Sequence, residues 1–173
     1  MNVCFLRGIN VNGIKIKNKD LKNVFEDLGF WNVTPILQTG NVIYNTPLNL
    51  DEQKVAIEAA LRNTFGYEAF VIVRDGKHMQ TLIDDYPFEL NDIMQPYVIF
   101  VNKEMIMQDL MSLPLDDNEY IQRGESIVYW TVPKGMTLDS KFGKALGKRI
   151  YKSETTSRNL RTIEKMVAKL NEK

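Results

Sequence analysis

Apolar residues in the first half of the chain follow two rhythms. Asn2–Ile9 is apolar at nearly consecutive positions and predicts a strand. Leu21, Val24, Phe25 and Leu28 then recur at i, i+3, i+4 and i+7, the spacing of one helical face. Asn18 is placed to cap the start of that helix, and Gly29 follows its end. Val33–Leu37 and Asn41–Asn45 are short apolar runs parted by Gln38-Thr39-Gly40, which predicts two strands and a turn. A second helix is expected from about Asp51 to Phe65, with Ile57, Ala60, Leu61 and Phe65 inward and Gly66 as its stop. Ala69–Arg74 is a further strand. The order βαββαβ is the ferredoxin-like pattern.

The second half repeats much of this. Met79, Leu82, Ile83 and Tyr86 predict a connecting helix ended by Pro87. A strand at Tyr97–Val101, a short helix from Lys103 to Leu113 and a hairpin of Glu119–Gln122 with Ser126–Val132 follow. Helices near Ser140–Lys148 and Ser157–Leu170 finish the chain. The expected fold class is α+β: two ferredoxin-like halves packed as one body, the second incomplete or decorated with C-terminal helices. The expected division is residues 1–75, a connecting helix and turn over 76–91, and 92–173.

Strand composition bears on what covers these sheets. Val3-Cys4-Phe5-Leu6, Val71-Ile72-Val73 and Tyr97-Val98-Ile99-Phe100-Val101 are apolar without alternation, so both sheet faces should be buried. A lone ferredoxin-like unit leaves one face open. The expected cover is the other half or a second copy of the chain, as in a homo-oligomer.

Composition excludes more than it selects. The 173 residues are 44% hydrophobic and 25% charged, an ordinary globular balance. One cysteine, Cys4, permits neither an internal disulfide nor a cysteine zinc cluster, and one histidine, His78, permits no multi-histidine metal site. No metal and no cofactor are expected. The apolar run Val3–Leu6 is too short for a signal peptide core, and turn residues break the uncharged stretch Phe30–Leu50. A cytoplasmic protein without a membrane partner is the expectation.

The 22 basic and 22 acidic side chains cancel, yet they are partitioned. Residues 76–135 carry 4 basic and 10 acidic side chains, while residues 136–173 carry 10 and 4. Lys141, Lys144, Lys148 and Lys152 lie at helical spacing, as do Arg158, Arg161, Lys165 and Lys169. Solvated faces of amphipathic helices explain such periodicity, with Leu160, Ile163, Val167 and Leu170 inward on the last. The sharper alternative is a nucleic-acid-binding module that uses these basic C-terminal helices against phosphates.

Two polar, glycine-containing motifs interrupt apolar strands: Leu6-Arg7-Gly8-Ile9-Asn10-Val11-Asn12-Gly13 and Gln38-Thr39-Gly40-Asn41-Val42. With sheet order 4-1-3-2, the first strand ends beside the start of the third, which brings the motifs together. The first helix starts at the same end, offering free N–H groups. Arg7, Gly8, Asn10, Asn12 and Gly13 with Gln38, Gly40 and Asn41 thus form a candidate site for a small anionic ligand. The glycines and asparagines also suit plain turns. What favours a site is Arg7, a charged side chain directly continuing a buried strand, where it needs a partner. A scaffold that self-associates, its polar motifs serving only the joint between halves, is the remaining alternative.

LRGINVNG, QTGNV and TTSRNLRT, in that order, resemble the motifs of the bacterial family called domain of unknown function 1697. Its members open with LRGINVGG and carry QSGNV and a TTRNW-like segment. The resemblance spans essentially the whole chain and implies paired ferredoxin-like units, with no activity attached. It adds Arg158 and Asn159 as a third polar element of the ligand site. This chain departs from the pattern at Asn12 for glycine, Thr39 for serine and Leu160 for an aromatic residue. Asn12 tolerates left-handed backbone, so the loop can keep its shape, while Leu160 removes a stacking surface.

Other candidates fall away on inspection. Gly143-Lys144 and Gly147-Lys148 lack the Ser or Thr of a phosphate loop. Phe5 and Tyr44 stand where RNA-recognition modules stack bases, but TGNVIYNT lacks their aromatic signature, so core packing is expected. Asp84-Asp85 and Asp116-Asp117-Glu119 lack the spacing of a calcium loop and read as solvated turns. His78 reads as a surface residue, Cys4 as an inert core residue, and Met105, Met107 and Met111 as core or interface filler. No nucleophile or general base stands out near Arg7, so no reaction class is assigned.

Overall fold

The structure is a computed structural model that describes residues 1–9 and 14–172. Among them the chain divides into two compact units, Met1–Thr81 with Glu164–Lys173, and Leu82–Ile163. The first unit runs β1 (Asn2–Arg7), α1 (Asn18–Asp27), β2 (Trp31–Ile36), β3 (Asn41–Asn45), α2 (Leu50–Phe65) and β4 (Phe70–Asp75). Its antiparallel sheet has the order β2-β3-β1-β4, the one the βαββαβ pattern requires. A 3-10 turn, Gly76–His78, leads into α3 (Met79–Asp84).

The later elements are β5 (Met94–Val101), α4 (Glu104–Met111), β6 (Tyr120–Arg123), β7 (Ile127–Pro133), α5 (Lys141–Leu146), β8 (Thr155–Asn159) and α6 (Leu160–Asn171). They form a second antiparallel sheet of order β6-β7-β5-β8, the same arrangement as the first. The second half is therefore a complete βαββαβ unit followed by α6, and the architecture is α+β with two ferredoxin-like halves. One element departs from the sequence reading. Ser157–Asn159 are strand, not the first turn of a helix, and Thr155-Thr156 supply the rest of β8. Two buried threonines leave no helical apolar period in this stretch, and threonine suits a strand packed against β5.

Helix ends follow local chemistry. Asn49 caps α2 by accepting from Glu52 N at 2.8 Å, while the Glu52 carboxylate accepts from Asn49 N at 3.2 Å, a reciprocal capping box. Gly66 ends that helix in left-handed backbone at φ 67°. Asn18 is not the cap of α1 that its position suggests. Lys17 holds the cap position without a side-chain bond, and Asn18 instead donates its Nδ2 to Leu37 O at 2.6 Å, tying α1 to the β2–β3 turn.

Cores follow the strand periods. Cys4 and Leu6 of β1 join Phe25, Val42, Tyr44, Ile57 and Leu61 in the cluster beneath α1 and α2. Tyr44 stacks on Phe30 and donates its hydroxyl to Gln53 Oε1 at 2.7 Å, so Phe5 and Tyr44 are core residues, both fully buried. On the opposite face of this sheet Val3, Phe5, Ile43 and Ile72 are buried too, as the unbroken apolar strands require. In the second unit Ile99, Val101, Val128, Trp130 and Val132 pack with Phe142 and Leu146 of α5.

Glu119 corrects the expectation of a solvated acidic turn. It is 2% exposed, and its carboxylate accepts from Trp130 Nε1 at 3.0 Å, Asp116 N at 2.8 Å and Phe142 N at 3.2 Å. The carboxylate thus joins β7, the preceding turn and the start of α5, and its burial is offset by three donors. No helix among the described residues is long and apolar enough to cross a membrane.

Candidate functional site

The two motifs of the first half do meet. Leu6 N, one residue before Arg7, donates to Gly40 O at 2.8 Å. Gly40 is at φ 78°, and a Cβ there would stand 2.9 Å from Leu6 Cβ and 3.0 Å from Ile9 Cδ1. Glycine is required on both counts, by backbone and by space. The turn Gln38-Thr39-Gly40 therefore rests directly on the end of β1 and on Ile9, which is buried.

Residues of the turn divide by role. Asn41 is 1% exposed, and its Nδ2 donates to Ile36 O at 3.0 Å and to Thr39 Oγ1 at 2.8 Å, so its side chain builds the turn. Gln38 and Thr39 are exposed on the surface of the turn. Gly8, at φ 77°, is exposed and carries the chain out of β1. Asn10, Asn12 and Gly13 lie outside the described residues.

Arg7 ends β1 opposite Phe70 of β4. Strand alternation places it with Val3 and Phe5, on the sheet face away from α1 and α2. The start of α1 therefore does not share a face with the Arg7 side chain, contrary to the convergence expected from topology alone. Its Nε is buried and has no hydrogen-bond partner among the described residues. Burial also holds the guanidinium below the usual arginine pKa. A buried, unpaired guanidinium N–H is costly, and an anionic or carbonyl acceptor would relieve it.

Arg158 and Asn159 lie in the second unit, in β8, and both serve structure there. Arg158 Nη1 donates to Thr156 Oγ1 at 2.6 Å and to Ser157 O at 2.9 Å. Asn159 Oδ1 accepts from Arg161 N at 2.9 Å, capping α6, and Nδ2 donates to Gln95 Oε1 at 3.0 Å. Leu160, where the family pattern has an aromatic residue, is buried as the first residue of α6.

The repeat supplies an internal comparison. Val101 N donates to Ser126 O at 3.0 Å, the counterpart of Leu6 N to Gly40 O, and Ser126 likewise has positive φ, 58°. Yet β5 passes to α4 through residues 102–103 alone, two residues, whereas β1 passes to α1 through residues 8–17, ten residues. The fold closes with the short connection. The long one, with Arg7 at its root, is additional.

A family model described as a protein of unknown function (DUF1697) matches residues 1–129. The chain belongs to this DUF1697 family. The conserved bacterial protein SP0830 from Streptococcus pneumoniae has a similar structure, with a TM-score of 0.80 at 19% identity, covering 98% of this chain and 97% of that one. At that identity the likeness concerns the fold. No curated protein matches the chain. DUF1697 membership and the repeated βαββαβ architecture agree with the family and fold class read from the sequence, and the family match ends before Arg158.

Proposed function

We propose that this DUF1697 protein binds a small anionic ligand at the root of the β1–α1 connection, with Arg7 as its charge partner. The observation that carries the reading is the buried Arg7 Nε, which finds no acceptor among the described residues. The ten-residue connection, set against two residues in the second half, supports it, since added loop on a rigid sheet is where binding groups reside. The exposed Gln38 and Thr39 sit on the adjoining turn. Asn41 holds the turn rather than a ligand, and Arg158 and Asn159 are left out of the site. No group near Arg7 is offered as a nucleophile or base, so the reading is one of binding. The cytoplasm is the compartment of this reading, where the buried free thiol of Cys4 needs no oxidising partner.

Thermal unfolding with inorganic phosphate, pyrophosphate, nucleoside triphosphate or citrate, at low and moderate salt, tests it. A binding anion stabilises the folded chain by about 2.7 kcal/mol at a hundredfold excess over Kd, and the midpoint keeps rising with the logarithm of its concentration. Arg7→Met keeps the side-chain length and removes the unpaired donor. That variant should fold at least as stably as the parent and lose the shift. A shift that persists in Arg7→Met, the absence of any anion shift, or collapse of the free variant would each defeat the reading.

A further inference from the structure

We infer that the exposed basic segment from Lys134 to Lys152 is a sequence-independent docking face for duplex nucleic acid. This inference is independent of the Arg7 site. Lys134, Lys141, Lys144, Lys148, Arg149 and Lys152 are all exposed, and Asp139 is the only acidic residue among positions 134–152. None of the six is in an ion pair among the described residues; the pairs there involve Lys54, Arg62, Lys77, Lys103, Arg123 and Lys169.

The repeat shows that the fold does not need this charge. Helix α2 holds the place in the first half that α5 holds in the second, and its Lys54 and Arg62 are both balanced on Glu58, at 2.6 and 4.0 Å. Around α5 none of the six basic side chains is in an ion pair among the described residues; the carboxylates of Asp116 and Glu119 at its start accept from the backbone N–H groups of Lys141 and Phe142 instead. Like charges gathered without partners repel one another and favour a polyanion. Lys141, Lys144 and Lys148 follow one another at three- and four-residue intervals on the exposed side of α5 and at its end, while Phe142, Ala145 and Leu146 are buried.

Two features select the partner. The apolar side of α5 is consumed in the core with Trp130 and Tyr151, so the helix has no greasy face left to lay into a bilayer. Five of the six cations are lysines, point charges suited to phosphates rather than to bidentate reading of guanine, and Tyr151 is buried, so no aromatic ring is offered for stacking. What remains is contact with a regular phosphate backbone. The exposed Leu138 and Ile150 in the same segment make anionic vesicles the necessary comparison.

The test is binding of the full chain to 20-bp DNA and RNA duplexes of arbitrary sequence by fluorescence anisotropy, from about 50 to about 200 mM salt. With all six cations engaged, log K falls with log salt at a slope of about −5, so affinity drops about a thousandfold across that range. The triple variant Lys141→Gln, Lys144→Gln, Lys148→Gln should bring the slope about three closer to zero. The charge-matched control Lys22→Gln, Lys165→Gln, Lys169→Gln should leave it unchanged. Binding only to phosphatidylserine vesicles, binding to neither, or equal loss in the control would overturn the inference.

Discussion

Arg74 and Arg158 hold equivalent places in two successive copies of one topology. Arg74 of β4 stands opposite Val3 of β1, and Arg158 of β8 stands opposite Val98 of β5. Each turns its Nη1 back to the carbonyl of the preceding residue, Val73 O at 3.0 Å and Ser157 O at 2.9 Å. The next residue repeats as well. Asp75 Oδ1 accepts from Lys77 N at 3.0 Å and Asn159 Oδ1 from Arg161 N at 2.9 Å, so each last strand ends in an Arg-Asx pair that starts a helical turn. Arg158, singled out by the family motif, thus has a structural twin that no motif marks. A role shared by both halves explains Arg158 better than a ligand does.

The same comparison yields a test at Gly40 and Ser126. Both carbonyls accept from the strand beside them and both residues have positive φ, but only Gly40 is hemmed in by Leu6 and Ile9. Gly40→Ala combines backbone strain with a 2.9 Å clash against Leu6 Cβ, and should cost about 2–3 kcal/mol in urea denaturation. Ser126→Gly relieves left-handed strain without creating a cavity, and should gain up to about 1 kcal/mol. A Gly40→Ala variant as stable as the parent would show that the turn does not rest tightly on β1.

Glu119 supports a second prediction. Glu119→Ala strands three buried donors, Trp130 Nε1 and the amides of Asp116 and Phe142, and should cost about 3 kcal/mol or more. Glu119→Gln keeps the shape but offers an NH2 where an acceptor is needed, so its cost should be smaller, about 1–2 kcal/mol. Equal stability of both variants with the parent would mean that the carboxylate does not hold the α5 junction. The near-ultraviolet signal of Trp130 gives an independent readout, since its indole N–H loses its acceptor in the alanine variant.

Legibility in the sequence tracked how local the governing physics was. Helix α1, helix α2 and the order of the first sheet were readable because Leu21, Val24 and Phe25 keep helical period and Gly66 marks an end. The meeting of Leu6 with Gly40 followed from sheet order alone. Strand β8 was hidden, because Thr155-Thr156-Ser157-Arg158-Asn159 has no apolar alternation and its stability comes from pairing with distant β5. The role of Glu119 is hidden for the same reason. Its three donors come from residues 116, 130 and 142, which only folding assembles. At the candidate site, Arg7 is legible because a charge ends an apolar run, while the structural duties of Asn41 and Asn159 lie in hydrogen bonds that composition does not reveal.

Tyr67 and Tyr86 contribute to an alkaline pH dependence, together with Tyr44 and Tyr129, whose phenols burial also raises. Burial pushes the phenols of Tyr67 and Tyr86 up to about 12, with the charge of Cys4 adding to the shift at Tyr67. An unfolded tyrosine releases its proton near 10. Between about pH 10 and about pH 12 the unfolded chain therefore binds fewer protons than the folded one, and stability falls as pH rises through that window. Below about pH 10 the contribution is complete. Urea midpoints measured from about pH 9 to about pH 12 should decline, and each tyrosine-to-phenylalanine variant should flatten the decline. At neutral pH the two variants should diverge. The Tyr67 hydroxyl is buried without a partner among the described residues, so Tyr67→Phe should be neutral or gain up to about 1 kcal/mol. Tyr86 donates to Trp130 O at 3.0 Å, so Tyr86→Phe should lose about 1 kcal/mol. A Tyr67→Phe variant that is clearly less stable at neutral pH would show that its hydroxyl has an acceptor in solution.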